Sequence, residues 1–158
     1  MKSPKIHSTT VLAVAIFVLF QPSSRVLAQG VGSALQFNGT NQYVTFGAAP
    51  SLGVSTMTIE TWFRRDGAGA TTSTGSGGVT ATPLVTKGRS QADGSNVDMN
   101  YFLGVDAAGR LVADFEDRAT GLNHPVTGST AIPINAAVWR HAAATWDGTT
   151  WRLYLDGA

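Results

Sequence analysis

A two-residue period that returns along the chain limits its fold more than any other feature. From Thr56 to Arg64, Met57, Ile59, Thr61 and Phe63 fall on one side, and Thr58, Glu60, Trp62 and Arg64 on the other. Trp139 to Trp146 alternates in the same way. In Trp151 to Leu155, the residues Trp151, Leu153 and Leu155 share a face. No long segment carries a helical period. Such alternation marks strands that bury one face, so each needs neighbours along its edge and a layer against its apolar side. Asn38-Gly39-Thr40-Asn41, Asp106-Ala107-Ala108-Gly109, Asp147-Gly148 and Asp156-Gly157 supply turns between the runs. Eighteen glycines and a charged fraction of only 13% suit an all-β chain with many turns.

Residues 1–28 stand apart. Lys2 and Lys5 make a basic start, Val11 to Phe20 is an unbroken apolar run, and Val26-Leu27-Ala28 ends in small residues. This order is that of a secretory signal peptide, with cleavage expected after Ala28 and a mature chain from Gln29. The run is short of the roughly 20 residues that span a bilayer, which weighs against an uncleaved anchor. Membrane contact is thus expected only through this transient segment, and the protein is expected to be secreted or held at the cell surface.

Residues 29–158 are expected to form one domain. Short strands are expected at Ala34–Phe37, Tyr43–Phe46 and Pro83–Lys87. Tyr101–Val105 and Arg110–Phe115 read as a β-hairpin, and a short strand is expected near Val126. Gly67 to Thr82, Ser90 to Asp98 and Asp117 to Ser129 read as loops. Asp156-Gly157 introduces a turn with no partner strand after it, so the chain reads as a piece of a longer protein.

Composition excludes several function classes. The net charge is +1 and no basic stripe appears, which argues against nucleic-acid binding. There are no cysteines, so disulfides, thiolate catalysis and thiolate zinc sites are ruled out. An exported domain of this kind must be held by core packing, with a bound cation as the one further aid.

Three segments in order resemble the laminin-G-like jelly-roll domains of the concanavalin-A-like lectin/glucanase superfamily. The first is Leu35-Gln36-Phe37-Asn38-Gly39 followed by Tyr43-Val44. The second is the Met57 to Arg64 strand with its Thr58-Ile59 and Trp62. The third, and most specific, is Trp139-Arg140-His141, the Asp147-Gly148 turn, and Trp151 to Gly157 ending in Tyr154-Leu155-Asp156-Gly157. The resemblance implies a two-sheet antiparallel jelly-roll sandwich, incomplete at its C-terminus because the closing strands are missing. It also implies a non-enzymatic recognition or adhesion module whose partners are glycans or extracellular proteins. A polysaccharide-active enzyme or its accessory domain, and a spacer with no ligand, are the competing readings.

The residues offer four chemistries to weigh. Glycoside hydrolysis needs two carboxylates at a controlled separation. Asp114 and Glu116 alternate on one face, but Asp117 points the other way, so they read as a solvated strand face. Calcium needs six to eight oxygens, and Asp93, Asn96 and Asp98 offer a set within one loop; Asp117 and Asn123 are weaker candidates. His141, inside a strand, reads as a packed or edge histidine. Sugar binding needs aromatic platforms with polar groups beside them, for which Trp62, Tyr101, Trp146 and Tyr154 are the candidates. Asn38-Gly39-Thr40 matches a glycosylation acceptor.

Overall fold

A computed structural model describes residues 32–88, 99–135 and 137–158. The chain divides between Leu35 and Gln36; residues 32–35 carry no regular element, and the second unit carries every strand described below. The residues expected to form the signal peptide lie outside the described residues.

Among the described residues, eight strands build two antiparallel sheets. They are β1 (Met57–Arg64), β2 (Thr72–Ser73), β3 (Thr80–Lys87), β4 (Tyr101–Asp106), β5 (Arg110–Asp114), β6 (Val126–Ala131), β7 (Trp139–Trp146) and β8 (Trp151–Leu155). One sheet has the order β1-β7-β8, the other β2-β3-β4-β5-β6. A 3₁₀ turn at Pro50–Leu52 is the one helical element among the described residues. The long alternating runs form β1, β7 and β8 as expected. The β4–β5 hairpin turns at Asp106–Gly109, where Gly109 takes φ 84° and its N–H donates to Asp106 O at 2.9 Å.

The apolar faces meet between the sheets. Ile59, Phe63, Ala142 and Ala144 come from the three-stranded sheet, and Leu103, Val105, Leu111 and Ala113 from the five-stranded one. Leu153, Leu155 and Trp151 pack on this core as their shared face predicts. The chain is therefore a two-sheet sandwich, the arrangement in which each amphipathic layer buries the other.

The five-stranded sheet is buried on its outer face as well. Phe102, Val112, Ala81 and Met99 form a second cluster there, with Val79 against it. Position 104 must be glycine for this packing. A Cβ there would stand 2.6 Å from the Phe102 ring and 2.6 Å from the Thr82 carbonyl oxygen.

Several expected elements differ. Ala34–Phe37 and Tyr43–Phe46 are not strands, and Phe37, Tyr43, Val44 and Phe46 are exposed. Alternation signals a capacity to pair, but a strand exists only where a second edge runs at about 4.8 Å. Among the described residues no strand pairs with either stretch. The stretch Gly67 to Thr82, expected to be loop, contains β2 and the start of β3, which pair Thr72 with Ala81 and Ser73 with Thr80. Two residue pairs are too short a ladder to leave a period in the sequence. The short strand near Val126 extends to Ala131.

Candidate recognition face

The β1-β7-β8 ladder fixes which side chains share its outer surface. Directly opposed residues are Thr58–Thr145–Arg152, Glu60–Ala143–Tyr154, Trp62–His141 and Arg64–Trp139. Residues paired in this way project on the same side of the sheet. The outer surface is therefore a grid of Trp62, Trp139 and Tyr154 interleaved with Glu60, His141, Arg64 and Arg152. Trp62 is 66% exposed and Trp139 45%.

The polar groups hold the rings in place. The Trp62 and His141 rings lie 5.2 Å apart at 51°. His141 Nε2 stands 3.3 Å from Glu60 Oε2. The Arg64 guanidinium sits over the Trp139 ring, 5.6 Å from its centroid, a cation–π contact. Arg64 also donates through Nε and Nη2 to Asp66 at 2.7 and 2.8 Å, a two-point grip that holds the Asp66 carboxyl below its usual range. Arg152 donates to Asp147 Oδ2 at 2.8 Å, while Asp147 Oδ1 accepts the N–H groups of Thr149 and Thr150 in the β7–β8 turn. Those contacts, Arg152 foremost, hold the Asp147 carboxyl far below its ordinary value. At the rim, Asp156 accepts the His141 backbone N–H at 2.9 Å and the Arg140 guanidinium at 2.7 Å.

The four aromatic candidates separate in the structure. Trp62 and Tyr154 belong to this face. Tyr101 packs against the core between the sheets. Trp146 points inward at the end of the sandwich, where its ring meets Phe115 at 4.8 Å and Trp151 at 6.3 Å. His124 stacks on Phe115 at 4.6 Å, and an open cleft of about 510 Å³ borders this ring cluster. Trp139, Glu60 and His141 were not among the sequence candidates for ligand contact. Their signal was the register: Ala142 and Ala144 must face the core, so Trp139, His141 and Ala143 must face out.

The carboxylates at the end of β5 correct a second expectation. Asp114 and Glu116 do not form a solvated face: Asp114 is 0% exposed and Glu116 8%. Asp114 Oδ1 accepts the His124 backbone N–H at 2.9 Å, and Oδ2 accepts the Thr74 hydroxyl. Thr74 Oγ1 in turn accepts the Val79 N–H at 2.7 Å. Glu116 Oε2 accepts the Met99 N–H at 3.3 Å. Burial pushes the Asp114 carboxyl above its ordinary value against these hydrogen bonds. Two loops, 74–79 and 115–124, are thus clamped over the outer face of the five-stranded sheet. Gly78 closes the clamp, since a Cβ there would lie 2.1 Å from Thr74 Oγ1 and 2.6 Å from Asp114 Oδ2.

The main calcium candidates, Asp93, Asn96 and Asp98, lie outside the described residues. Asp117 is already engaged. It accepts the Thr120 hydroxyl, the N–H groups of Ala119 and Thr120, and His124 Nε2 at 2.9 Å, and these hold its carboxyl far below the usual range. Among the described residues no group of three or more acidic, histidine or cysteine side chains is arranged to hold a metal.

A two-sheet antiparallel β-sandwich carrying an exposed aromatic face defines a class of binding module rather than any one ligand. Residues 38–158 match the Laminin_G_3 family, described as the concanavalin A-like lectin/glucanases superfamily, and the chain belongs to that family. No curated protein and no solved structure matches it. Domains of this kind bind carbohydrates or proteins and are typically extracellular. No helix among the described residues is long and apolar enough to cross a membrane.

Proposed function

We propose that this chain is an exported, non-catalytic module that recognises glycans through the outer face of the β1-β7-β8 sheet. The observation that carries the reading is Trp62, 66% exposed at the middle of a regular strand and flanked by the His141–Glu60 pair. Trp139 beside it is 45% exposed, so this face turns two indoles to solvent where a ligand can stack on them. The rings are not contiguous: Glu60, His141 and Arg64 stand among them. That mixture suits a sugar, whose C–H face stacks on a ring while its hydroxyls need donors and acceptors at the ring edge. A protein hot spot gathers its apolar groups at the centre and puts charge at the rim, which is a different layout.

The enclosure of Asp114 supports a non-catalytic role, because its carboxylate is occupied by Thr74 and His124 and is sealed from substrate. Export rests on the pattern of residues 1–28 and on the family's usual location. The test is a glycan-binding screen on the wild type and Trp62→Ala. Binding by the wild type that falls by about tenfold or more in the variant supports the reading. Hydrolysis of any bound polysaccharide would overturn the non-catalytic part.

A further inference from the structure

We infer that the glycan taken by this face is uncharged, and that sulfated or uronate polymers are poor ligands. The inference rests on the face being a glycan site, and it follows from how its charges are matched. Among the described residues, Arg64 and Arg152 are the two arginines on the grid, and each is bound to an aspartate outside the rings. Asp66 occupies both Arg64 Nε and Nη2, and Asp147 accepts Arg152 Nη1. A further arginine near the face, Arg140, is held by Asp156 at the rim. Glu60 adds an anion in the middle of the grid, beside Trp62 and His141. The described face therefore offers a sulfate or carboxylate no unengaged arginine, and places Glu60 where such a group would stack.

An anionic ligand would meet arginines whose charge Asp66 and Asp147 already match, so it would share or exchange an ion pair with little net gain. A neutral ring meets no such cost. It stacks on Trp62 or Trp139, whose Cα positions are about 8 Å apart by strand and residue spacing, so one oligosaccharide can cross both rings. Glu60 accepts from its hydroxyls, and the outward edges of Arg64 and Arg152 donate to them. Binding through such contacts is insensitive to salt, whereas binding of a polyanion is not.

The experiment measures affinity of the wild-type chain for two sets of soluble polysaccharides. One set is neutral (glucans, mannans and galactans), the other anionic (heparin, dextran sulfate and polygalacturonate). The expected result is binding from the neutral set, lost in Trp62→Ala, that changes less than about twofold between about 50 and 500 mM salt. Freeing the arginines should reverse the preference. In Asp66→Asn and Asp147→Asn, alone and together, heparin affinity should rise by about tenfold and fall again with salt. The amide introduced by Asp147→Asn keeps an oxygen for the β7–β8 turn, and Asp66→Asn alone tests the idea should the turn variant fold poorly. Salt-sensitive, Trp62-dependent binding of anionic polymers by the wild type would overturn this inference and leave the glycan face standing. No binding from either set, or binding indifferent to both Trp62→Ala and Trp139→Ala, would remove the face itself.

Discussion

Replacing Asp114 by alanine removes the acceptor that fastens two loops to the five-stranded sheet. The side chain is fully buried and takes hydrogen bonds from the Thr74 hydroxyl and the His124 N–H. Each buried donor left without an acceptor costs about 1–3 kcal/mol. The Thr74 hydroxyl can turn toward the Val79 carbonyl, 3.3 Å away, so its loss is partly recovered. Relief from burying a carboxylate offsets a further part. The net cost should be about 2–4 kcal/mol, which for a domain of this size lowers Tm by roughly 8–15 °C. Asp114→Asn is the informative control. It keeps one acceptor for His124, and its amide can donate to Thr74 Oγ1, so it should cost less than about 1 kcal/mol.

The two variants also differ in pH dependence. Burial raises the folded Asp114 carboxyl above its ordinary value of 3.8, so the fold favours the neutral acid. This group's contribution to wild-type stability falls as pH rises from 3.8 through the folded value, then levels. Asp114→Asn has no such step and should gain on the wild type across that interval. Urea unfolding followed by circular dichroism over a pH series measures both effects. An alanine variant within about 1 kcal/mol of the wild type, or an asparagine variant as damaged as alanine, would refute the clamp.

Gly104→Ala should be more harmful than an ordinary surface glycine replacement. Its Cβ would press on the Phe102 ring and the Thr82 carbonyl, at a cost of about 1–3 kcal/mol seen as a lower urea midpoint. An unchanged midpoint would show that Phe102 does not lie over this position. Acid should act in the opposite sense to Asp114. The carboxyls of Asp66, Asp117, Asp147 and Asp156 all lie below their ordinary value, as does that of Asp106, where burial is outweighed by Arg110 and the Ala108 backbone together. Groups depressed in the fold give stability that is present above 3.8 and is lost as pH drops through their folded values. The urea midpoint should therefore fall below about pH 4, and a flat profile there would mean that these turn and ion-pair contacts do not persist in solution.

Much of the sandwich was legible because its longest strands carry their orientation in their own residues. Met57 to Arg64 and Trp139 to Trp146 could only be strands, and their apolar sides could only face a second layer. The candidate site was half legible. Residue type points to Trp62 and Tyr154, but it points equally to Tyr101 and Trp146, which turn inward. A tyrosine or tryptophan fits a core and a binding face equally well, and composition cannot choose between them. The buried carboxylates were missed for a related reason. Alternating Asp114 and Glu116 read as a solvated face, because nothing local announces that distant loops will cover them.

Residues close along the chain set the strand periods, the turns, the absence of cysteine chemistry and the class of fold. Packing between distant segments leaves Trp62 and Trp139 open, matches each described arginine near them to an aspartate, and puts Asp114 under two loops. Those outcomes depend on which strand lies beside which, and in what register. Segments far apart in the chain settle that together, so no single stretch of residues contains it.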